Sequence, residues 1–157
     1  MLPPTLLTDH AIRLKSRMEP VNRRPYKLAC HLKNEVERQV QKLLDLGYIR
    51  HSSCSYYSPI ILVKKKDGGW HMCVDYRALN RQTIPDRYPI PVIEELVDES
   101  SGAEYFTKID LKYGFHQVQM QPKDAEKTTF ETYEGHYEYL VMPFDYPLLR
   151  QGCCRST

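Results

Sequence analysis

The fold of this chain is indicated by residues 58–80, "SPIILVKKKDGGWHMCVDYRALN". An apolar run at residues 60–63 precedes a turn centred on residues 67–69, and strict alternation of apolar and polar residues follows over residues 70–76. Two such runs around an Asp-Gly-Gly turn predict a β-hairpin. Alternation puts two sets of side chains on opposite faces: Trp70, Met72, Val74 and Tyr76 on one, and His71, Cys73, Asp75 and Arg77 on the other. The polar face is therefore directed at a ligand or at water.

The segments around this hairpin predict an α+β domain. Apolar residues at helical spacing predict an amphipathic helix over residues 33–46, and Gly47 suits its end. Prolines 85, 89 and 91 predict an extended connector before a short helix over residues 92–100. Further on, we expect a strand at residues 105–109, a helical turn at 112–118 and a second hairpin around Glu134 and Gly135.

Composition sets limits on the function. The net charge of +2, from 22 basic and 20 acidic residues, gives no overall polyanion-binding signature, so nucleic-acid binding has to rest on local clusters. Five irregularly spaced cysteines favour a reducing compartment over a disulfide framework or a zinc site. No apolar run is long enough to span a membrane and no signal peptide is evident, which predicts a soluble, non-secreted protein, cytoplasmic or nuclear.

One acid ends the β-branched and aromatic run at the start of residues 105–120, "YFTKIDLKYGFHQVQM". Asp110 stands where a strand passes into a helical turn, and aspartate is a common N-cap at such a junction. A metal-binding role is the alternative. Taken alone, the position of Asp110 favours the N-cap, and the neighbouring segments reverse that preference.

Four motifs occur in a characteristic order: residues 58–80, "RYPIPVIEELVDE" at 87–99, the segment containing Asp110, and "EGHYEYLVMPF" at 134–144. In this order they resemble the reverse transcriptase of gypsy-class long-terminal-repeat retrotransposons, over about residues 2–144. "LPP", "DHAIRL" and "PVNRRPYKL" near the start resemble the linker that enters the polymerase. The resemblance implies a right-hand polymerase fold, with a leader at 1–30, fingers at 31–104, a truncated palm at 105–144 and a divergent tail at 145–157. The sheet that it implies is small and antiparallel, and helices back it.

Template-directed DNA synthesis is the activity that this resemblance implies. A primer hydroxyl attacks the α-phosphate of a deoxynucleotide, and two Mg²⁺ ions stabilise the attacking and departing oxygens. Asp110 matches the family's first catalytic, metal-binding aspartate, and the Leu111 carbonyl matches the next metal ligand. RNA or DNA template-primer and deoxynucleotides are the implied partners, and no membrane is involved.

The resemblance also implies roles in nucleotide binding. Lys65 in the hairpin tip and His71 match phosphate-contacting positions, and backbone amides at Tyr113 and Gly114 match the triphosphate cradle. Phe115 matches an aromatic that excludes a ribose 2′-hydroxyl. Simpler interpretations are a solvated lysine run at the tip and a core aromatic at Phe115.

Three further residues match positions that line the template strand: Asp75, Arg77 and Asn80. Salt-sensitive contacts are expected from Arg77. The alternative is an exposed strand face that carries a local Asp-Arg ion pair.

Three departures from the family pattern bear on activity. His71 stands where the family usually has arginine, so phosphate binding should weaken, with partial recovery at low pH. From Asp145 onward the family pattern ceases, which suggests a frameshift or an altered splice. The tyrosine-x-aspartate-aspartate motif is missing, so we expect weak or absent Mg²⁺ binding, no polymerase activity, and self-association through exposed palm edges.

Two other functions remain open. The chain is alternatively a non-catalytic nucleic-acid-binding module derived from a retrotransposon, for which steeply salt-dependent binding to a primer-template duplex is the expected signature. It is also compatible with an interaction protein that uses the helix at 33–46 and open palm edges as contacts. The sequence leaves open whether another subunit completes the palm.

Overall fold

A computed structural model describes residues 2–5, 9–16, 20, 22–85, 92–107 and 114–143. The helices are α1 (Cys30–Asp45), α2 (Arg77–Gln82), α3 (Ile93–Glu99) and α4 (Pro122–Ala125), with 3-10 turns at Gly114–Gln117 and Glu126–Thr128. The strands are β1 (Ile49–His51), β2 (Ser58–Lys64), β3 (Trp70–Val74), β4 (Phe130–Glu131) and β5 (His136–Tyr139). Asp110, Leu111, Tyr113 and the tail at 145–157 lie outside the described residues.

The five strands form one sheet in the order β1-β5-β4-β2-β3. The two predicted hairpins are present: β2 pairs with β3, and β4 pairs with β5, both antiparallel. In the turn of the first hairpin, Gly68 has a φ of 84°, a conformation that favours glycine. There the Gly69 amide donates a hydrogen bond of 3.0 Å to the Asp67 carboxylate. The chain is therefore an α+β protein built on a small sheet.

One neighbouring pair of strands departs from the predicted antiparallel arrangement. β2 and β4 are parallel, joined through Ser58 opposite Phe130 and Pro59 opposite Glu131. The Ser58 amide extends the join with a 2.9 Å hydrogen bond to the Thr129 carbonyl. A parallel contact is possible here because a long connection separates β2 from β4. This short contact links the two hairpins.

The core lies between α1 and the sheet. Val36 and Val40, four residues apart on α1, are fully or almost fully buried, as predicted from their helical spacing. Phe130 is fully buried in β4, and its ring centroid lies 5.3 Å from that of Tyr139 and 5.8 Å from that of Tyr137. The buried Tyr76 hydroxyl donates a 2.7 Å hydrogen bond to the Thr128 carbonyl. Aromatic packing thus stabilises the second hairpin, and the Tyr76 hydroxyl links the end of the first hairpin to the turn that precedes β4.

Two predicted strands end differently in the structure. β3 ends at Val74, because the Asp75 carboxylate accepts the Arg77 amide at 3.1 Å and turns the chain into α2. Residues 105–107 have no regular secondary structure, although a strand was predicted from residue 105. Tyr105 and Phe106 are 91% and 77% exposed, so their strand propensity lacks the packing that a strand requires. The rest of that predicted strand lies outside the described residues.

A buried ion pair binds the extended segment around Ile12 to the rest of the domain. Ile12, 1% exposed, donates its amide to the Asp124 carboxylate at 3.0 Å and accepts the Lys127 ammonium at its carbonyl at 2.8 Å. Asp124 and Lys127 in turn form an ion pair of 2.5 Å. A single residue of the extended segment therefore has both of its backbone polar groups satisfied by one ion pair.

No helix in the described part of the chain is long and apolar enough to cross a membrane. The boundaries proposed for the leader, fingers, partial palm and tail stay predictions.

We expect Asp124→Asn to lower the free energy of unfolding by about 3 kcal/mol, because it leaves the Lys127 ammonium without its carboxylate in a largely buried site. Urea unfolding followed by circular dichroism measures this change. Asp98→Asn, on the exposed α3, is the matched control and should change stability little. In the Asp124→Asn/Lys127→Met double variant the loss should be smaller than the sum of the single losses; strict additivity would contradict the role given to the pair.

Candidate functional site

A cleft of about 600 Å³ opens between α1, β3 and the 3-10 turn at Gly114–Gln117. Four of the five residues predicted to bind nucleotide line it: Lys65, His71, Gly114 and Phe115. The fifth, Tyr113, lies outside the described residues. Residues far apart in sequence therefore converge on one cavity.

The cleft combines cationic and apolar walls. Arg38 and Lys42 of α1 face it together with Lys65 of the hairpin tip, and no acidic residue is among its described lining residues. The apolar lining consists of Leu43, Leu46, Tyr48, Trp70, Met72, Val74, Phe115, Tyr139 and Pro143. Such a surface is suited to a ligand that carries both negative charge and a flat apolar group.

Glu35 stands just outside the cleft and holds two of its lining residues. Its carboxylate accepts two hydrogen bonds from the Arg38 guanidinium, at 2.6 and 2.9 Å, and one from the Gln39 amide at 2.6 Å. These bonds, that from Arg38 above all, lower the pKa of Glu35 to about 2. The carboxylate is therefore anionic at neutral pH, and it offsets part of the positive charge of Arg38.

His116 gives the cleft a second imidazole besides His71. Its ring centroid lies 4.8 Å from that of Tyr48. Burial, and then the charge of His71, lower the pKa of His116 below its ordinary value. His116 is consequently neutral at pH 7 and contributes ring surface rather than charge.

Phe115 lies where the hydrophobic core meets the cleft, and its role in sugar selection stays a prediction. It is partly buried, packs against the hydrophobic core, and also lines the cleft. One part of the ring therefore supports the fold while another part faces the cavity.

The hairpin tip is exposed over residues 63–69, as expected for a run of lysines. Its backbone is nevertheless well ordered by turn hydrogen bonds: the Lys65 amide donates to the Gly69 carbonyl at 2.8 Å, and the Gly68 amide donates to the Lys65 carbonyl at 3.1 Å. Lys65 thus projects at the edge of the cleft from a defined turn.

A second groove, of about 890 Å³, gathers the three residues predicted to line the template: Asp75, Arg77 and Asn80. The groove is completed by Asn22, Arg23, Arg24, Tyr26, Pro59, Ala78 and Arg81. Four arginines and one carboxylate therefore face a single concave surface, which makes the groove basic.

The predicted Asp75–Arg77 ion pair is present in this groove. The guanidinium donates to both carboxylate oxygens, at 2.8 and 2.7 Å. These bonds lower the pKa of Asp75 to about 2. The Tyr26 hydroxyl donates to the same carboxylate at 2.9 Å and accepts from Arg77 at 3.3 Å, so an aromatic ring from the leader is fixed beside the pair.

Asn80 contributes an acceptor to the same groove. Its side-chain oxygen is buried and receives no hydrogen bond from any residue in the described ranges. A buried acceptor without a donor is costly, and a ligand that carries a hydroxyl or amino group would satisfy it.

Sequence reasoning missed several residues that line the two cavities. Arg38, Gln39 and Lys42 share one face of α1 by their spacing of three and four residues, but the sequence does not reveal what that face contacts. In the sequence, Arg23 and Arg24 are recognisable only as part of the leader. Their proximity to Arg77 depends on the parallel bridge between Asn22 and Tyr57.

The described residues do not form a metal site. No three side chains of His, Cys, Asp or Glu converge within the parts of the chain that the structure covers. The predicted ligands Asp110 and Leu111 lie outside those parts.

Comparison with known proteins gives a consistent picture. The sequence profile described as "Reverse transcriptase (RNA-dependent DNA polymerase)" matches residues 63–148, which is more than half of the chain. The chain is 46% identical over 130 residues to the Retrovirus-related Pol polyprotein from transposon 297 of Drosophila melanogaster, an alignment that covers 80% of the chain and 12% of that protein. Its identity to the corresponding polyprotein from Drosophila transposon gypsy is 39% over 132 residues, covering 80% and 13%. The chain thus spans about an eighth of these relatives.

Solved structures share the fold. The prototype foamy virus protease-reverse transcriptase superposes with a TM-score of 0.70 at 21% identity, over 92% of this chain and 18% of that one. A foamy viral protease-reverse transcriptase in complex with double-stranded DNA gives a TM-score of 0.65 at 22% identity, over 92% and 23%. The right-hand polymerase arrangement inferred from the sequence is confirmed at the level of the fold. The chain belongs to the reverse transcriptase family, and about 130 of its residues correspond to part of a retrotransposon Pol polyprotein.

Proposed function

We propose that this chain forms the fingers and first part of the palm of an RNA-directed DNA polymerase, with a deoxynucleoside triphosphate in the cleft and the template strand in the basic groove. One observation carries the proposal. Four of the five residues assigned to the nucleotide line one cavity, and the three residues assigned to the template line the other.

The residues that line the cleft support the binding of a nucleotide. Lys42 and Lys65 would contact phosphates, and the partly buried Phe115 ring would lie against the sugar, so that bulk at this position selects deoxynucleotides. The amides of Tyr113 and Gly114 would complete the phosphate contacts. Asp110 and the Leu111 carbonyl are proposed as the Mg²⁺ ligands on the strength of the resemblance alone.

His71 is proposed as the weak element of the nucleotide site. An arginine would present a permanently charged, planar set of donors, whereas histidine is shorter and mostly neutral near pH 7. The second imidazole, at His116, adds no charge because burial disfavours its protonation. Lys65 therefore provides the phosphate contact on the β2-β3 side of the cleft.

The composition of the groove supports the binding of a nucleic acid strand. Arginines contact phosphates without regard to sequence, which gives salt-dependent affinity. The Tyr26 ring offers a surface on which a base can stack. The buried Asn80 oxygen would accept a hydrogen bond from a base or a sugar hydroxyl. The non-catalytic alternative, a nucleic-acid-binding module, requires the same groove.

Exposed apolar side chains support the proposal of self-association through the palm side. Val92, Ile93 and Val97 on or beside α3 are between 51% and 74% exposed, close in sequence to the exposed Tyr105 and Phe106. Several large apolar side chains exposed within one stretch of sequence are candidates for a contact surface.

His71→Arg is expected to tighten dATP binding about tenfold in buffer containing MgCl₂, since a guanidinium adds charge-assisted hydrogen bonds to phosphate. Fluorescence titration of Trp70, the single tryptophan of the chain, measures the affinity. His51→Arg adds the same charge at an exposed position that lines neither cavity, and should leave affinity unchanged. Equal affinities for dATP and deoxyadenosine would argue against phosphate recognition.

Binding of a fluorescent primer-template should weaken steeply with salt, and Arg81→Ala should reduce the magnitude of the logarithmic slope by about 0.7 to 0.9. Arg77→Ala should weaken binding further, because it also leaves the Asp75 carboxylate uncompensated in the groove. Arg13→Ala, outside the groove lining, is the control. Anisotropy across a salt series measures the slopes, and sedimentation velocity identifies whether the bound species is a monomer. A salt-independent affinity would contradict the groove assignment.

Primer extension by the 157-residue polypeptide should be undetectable with Mg²⁺ or Mn²⁺, because its sequence contains no tyrosine-x-aspartate-aspartate motif to share the ions with Asp110. Incorporation of labelled deoxynucleotide is measured for this polypeptide and for Asp110→Asn. Incorporation that Asp110→Asn abolishes would show that these residues suffice for catalysis.

A further inference from the structure

We infer that Gln39 is a positioning residue: its side-chain amide fixes the edge strand β3, and thereby sets where His71 and Trp70 stand against the cations of α1. The consequence for ligand binding rests on the proposed nucleotide function of the cleft. The effect on β3 does not, and it can be measured without any ligand.

Gln39 occupies the open side of β3. This strand lies at one end of the sheet, so the backbone groups on its outer side have no strand to pair with among the described strands. The Gln39 amide nitrogen donates to the Trp70 carbonyl at 3.0 Å, and its oxygen accepts from the Met72 amide at 3.0 Å. These two groups flank His71 on either side. A residue of a parallel neighbouring strand would make the same pair of bonds, so one side chain takes the place of a strand at this point.

The orientation of the amide is fixed by a third hydrogen bond. The Gln39 nitrogen also donates to the Glu35 carboxylate at 2.6 Å, and Glu35 is held by Arg38. Only the nitrogen of the amide can donate, and only its oxygen can accept. Glu35, the Trp70 carbonyl and the Met72 amide are thus all satisfied by one orientation of Gln39, and a flipped amide would lose all three bonds.

The hydrogen bonds of Gln39 matter for the cleft because both elements that they connect, α1 and β3, supply residues to its lining. Trp70 and His71 line the cleft from β3, and Arg38 and Lys42 line it from α1. Gln39 lies half-buried between them, and its amide bonds Glu35 of α1 and the backbone of β3. The separation between the α1 cations and His71 is consequently set by these bonds. This role differs from direct ligand contact, since the amide's hydrogen-bonding groups are used within the protein.

Three variants separate this role from general stabilisation. Gln39→Met keeps the length of the side chain and removes both hydrogen bonds to β3. Gln39→Glu keeps an acceptor for the Met72 amide but loses the donor and places a second carboxylate beside Glu35. Gln41→Met is the matched control, because Gln41 lies on the exposed side of the same helix and bonds only Asp45 among the described contacts.

Each variant is examined in the full 157-residue chain, under conditions where circular dichroism shows it folded. Two measurements use the ligand-free protein: hydrogen exchange of the Met72 amide, and iodide quenching of Trp70. A third is the affinity for dATP in MgCl₂ relative to the unaltered chain. The expected results for Gln39→Met are exchange at Met72 and quenching of Trp70 that are both faster, and dATP binding about tenfold weaker. Gln39→Glu should show the same direction, and Gln41→Met should show no change.

The outcomes are distinguishable. Unchanged Met72 exchange and Trp70 quenching in Gln39→Met would overturn the inference, whatever the affinity. If the unaltered chain does not bind dATP, the proposed nucleotide function fails, while altered exchange and quenching still establish the effect of Gln39 on β3. Faster exchange and quenching with an unchanged dATP affinity would reduce Gln39 to a purely structural residue and overturn its positioning role.

Discussion

The structure depends on the short parallel contact between β2 and β4. It joins two hairpins whose sequences lie about seventy residues apart, through Ser58 opposite Phe130 and Pro59 opposite Glu131. A contact between such distant segments has a high entropic cost, which burial must offset. The offset comes from the fully buried Phe130 ring and from the Tyr76 hydroxyl bonded to the Thr128 carbonyl. With this contact in place, the segment around Gly114 lies near β3 and forms one wall of the cleft.

The two cavities illustrate how charge is distributed in a chain that is nearly neutral overall. Twenty-two basic and twenty acidic residues cancel in the sum, yet the described lining of the cleft contains cations and no carboxylate, and the groove contains four arginines and one aspartate. Acids near the cavities are already engaged: Glu35 by Arg38, and Asp75 by Arg77. The charge that lines a cavity is therefore a better guide to an anionic ligand than the net charge of the whole chain.

The leader is attached to the domain at several points, and two of them bear on the core and on the groove. Ile12 is held through its backbone by the Asp124–Lys127 pair, and the Asn22–Tyr57 bridge sets Arg23, Arg24 and Tyr26 along the groove. The buried pair stabilises only as a complete unit, because either charge alone would be left desolvated. A segment with little regular secondary structure thereby contributes to the core and to the candidate binding surface at once.

The sequence by itself determined the local elements and the family. The hairpin at residues 58–74 follows from alternation and an Asp-Gly-Gly turn, the amphipathic helix from the spacing of Val36 and Val40, and the ordered motifs identify a reverse transcriptase. These features depend on residues that are close in sequence, so they can be predicted from periodicity and turn composition. Only the tertiary structure decided the parallel β2-β4 contact and the exposed irregular course of residues 105–107. The assembly of Arg38, Gln39 and Lys42 with His71, and of Arg23 with Arg77, also required it. The reason is physical: these arrangements depend on which side chains bury one another across long sequence separations, and neither propensity nor periodicity contains that information.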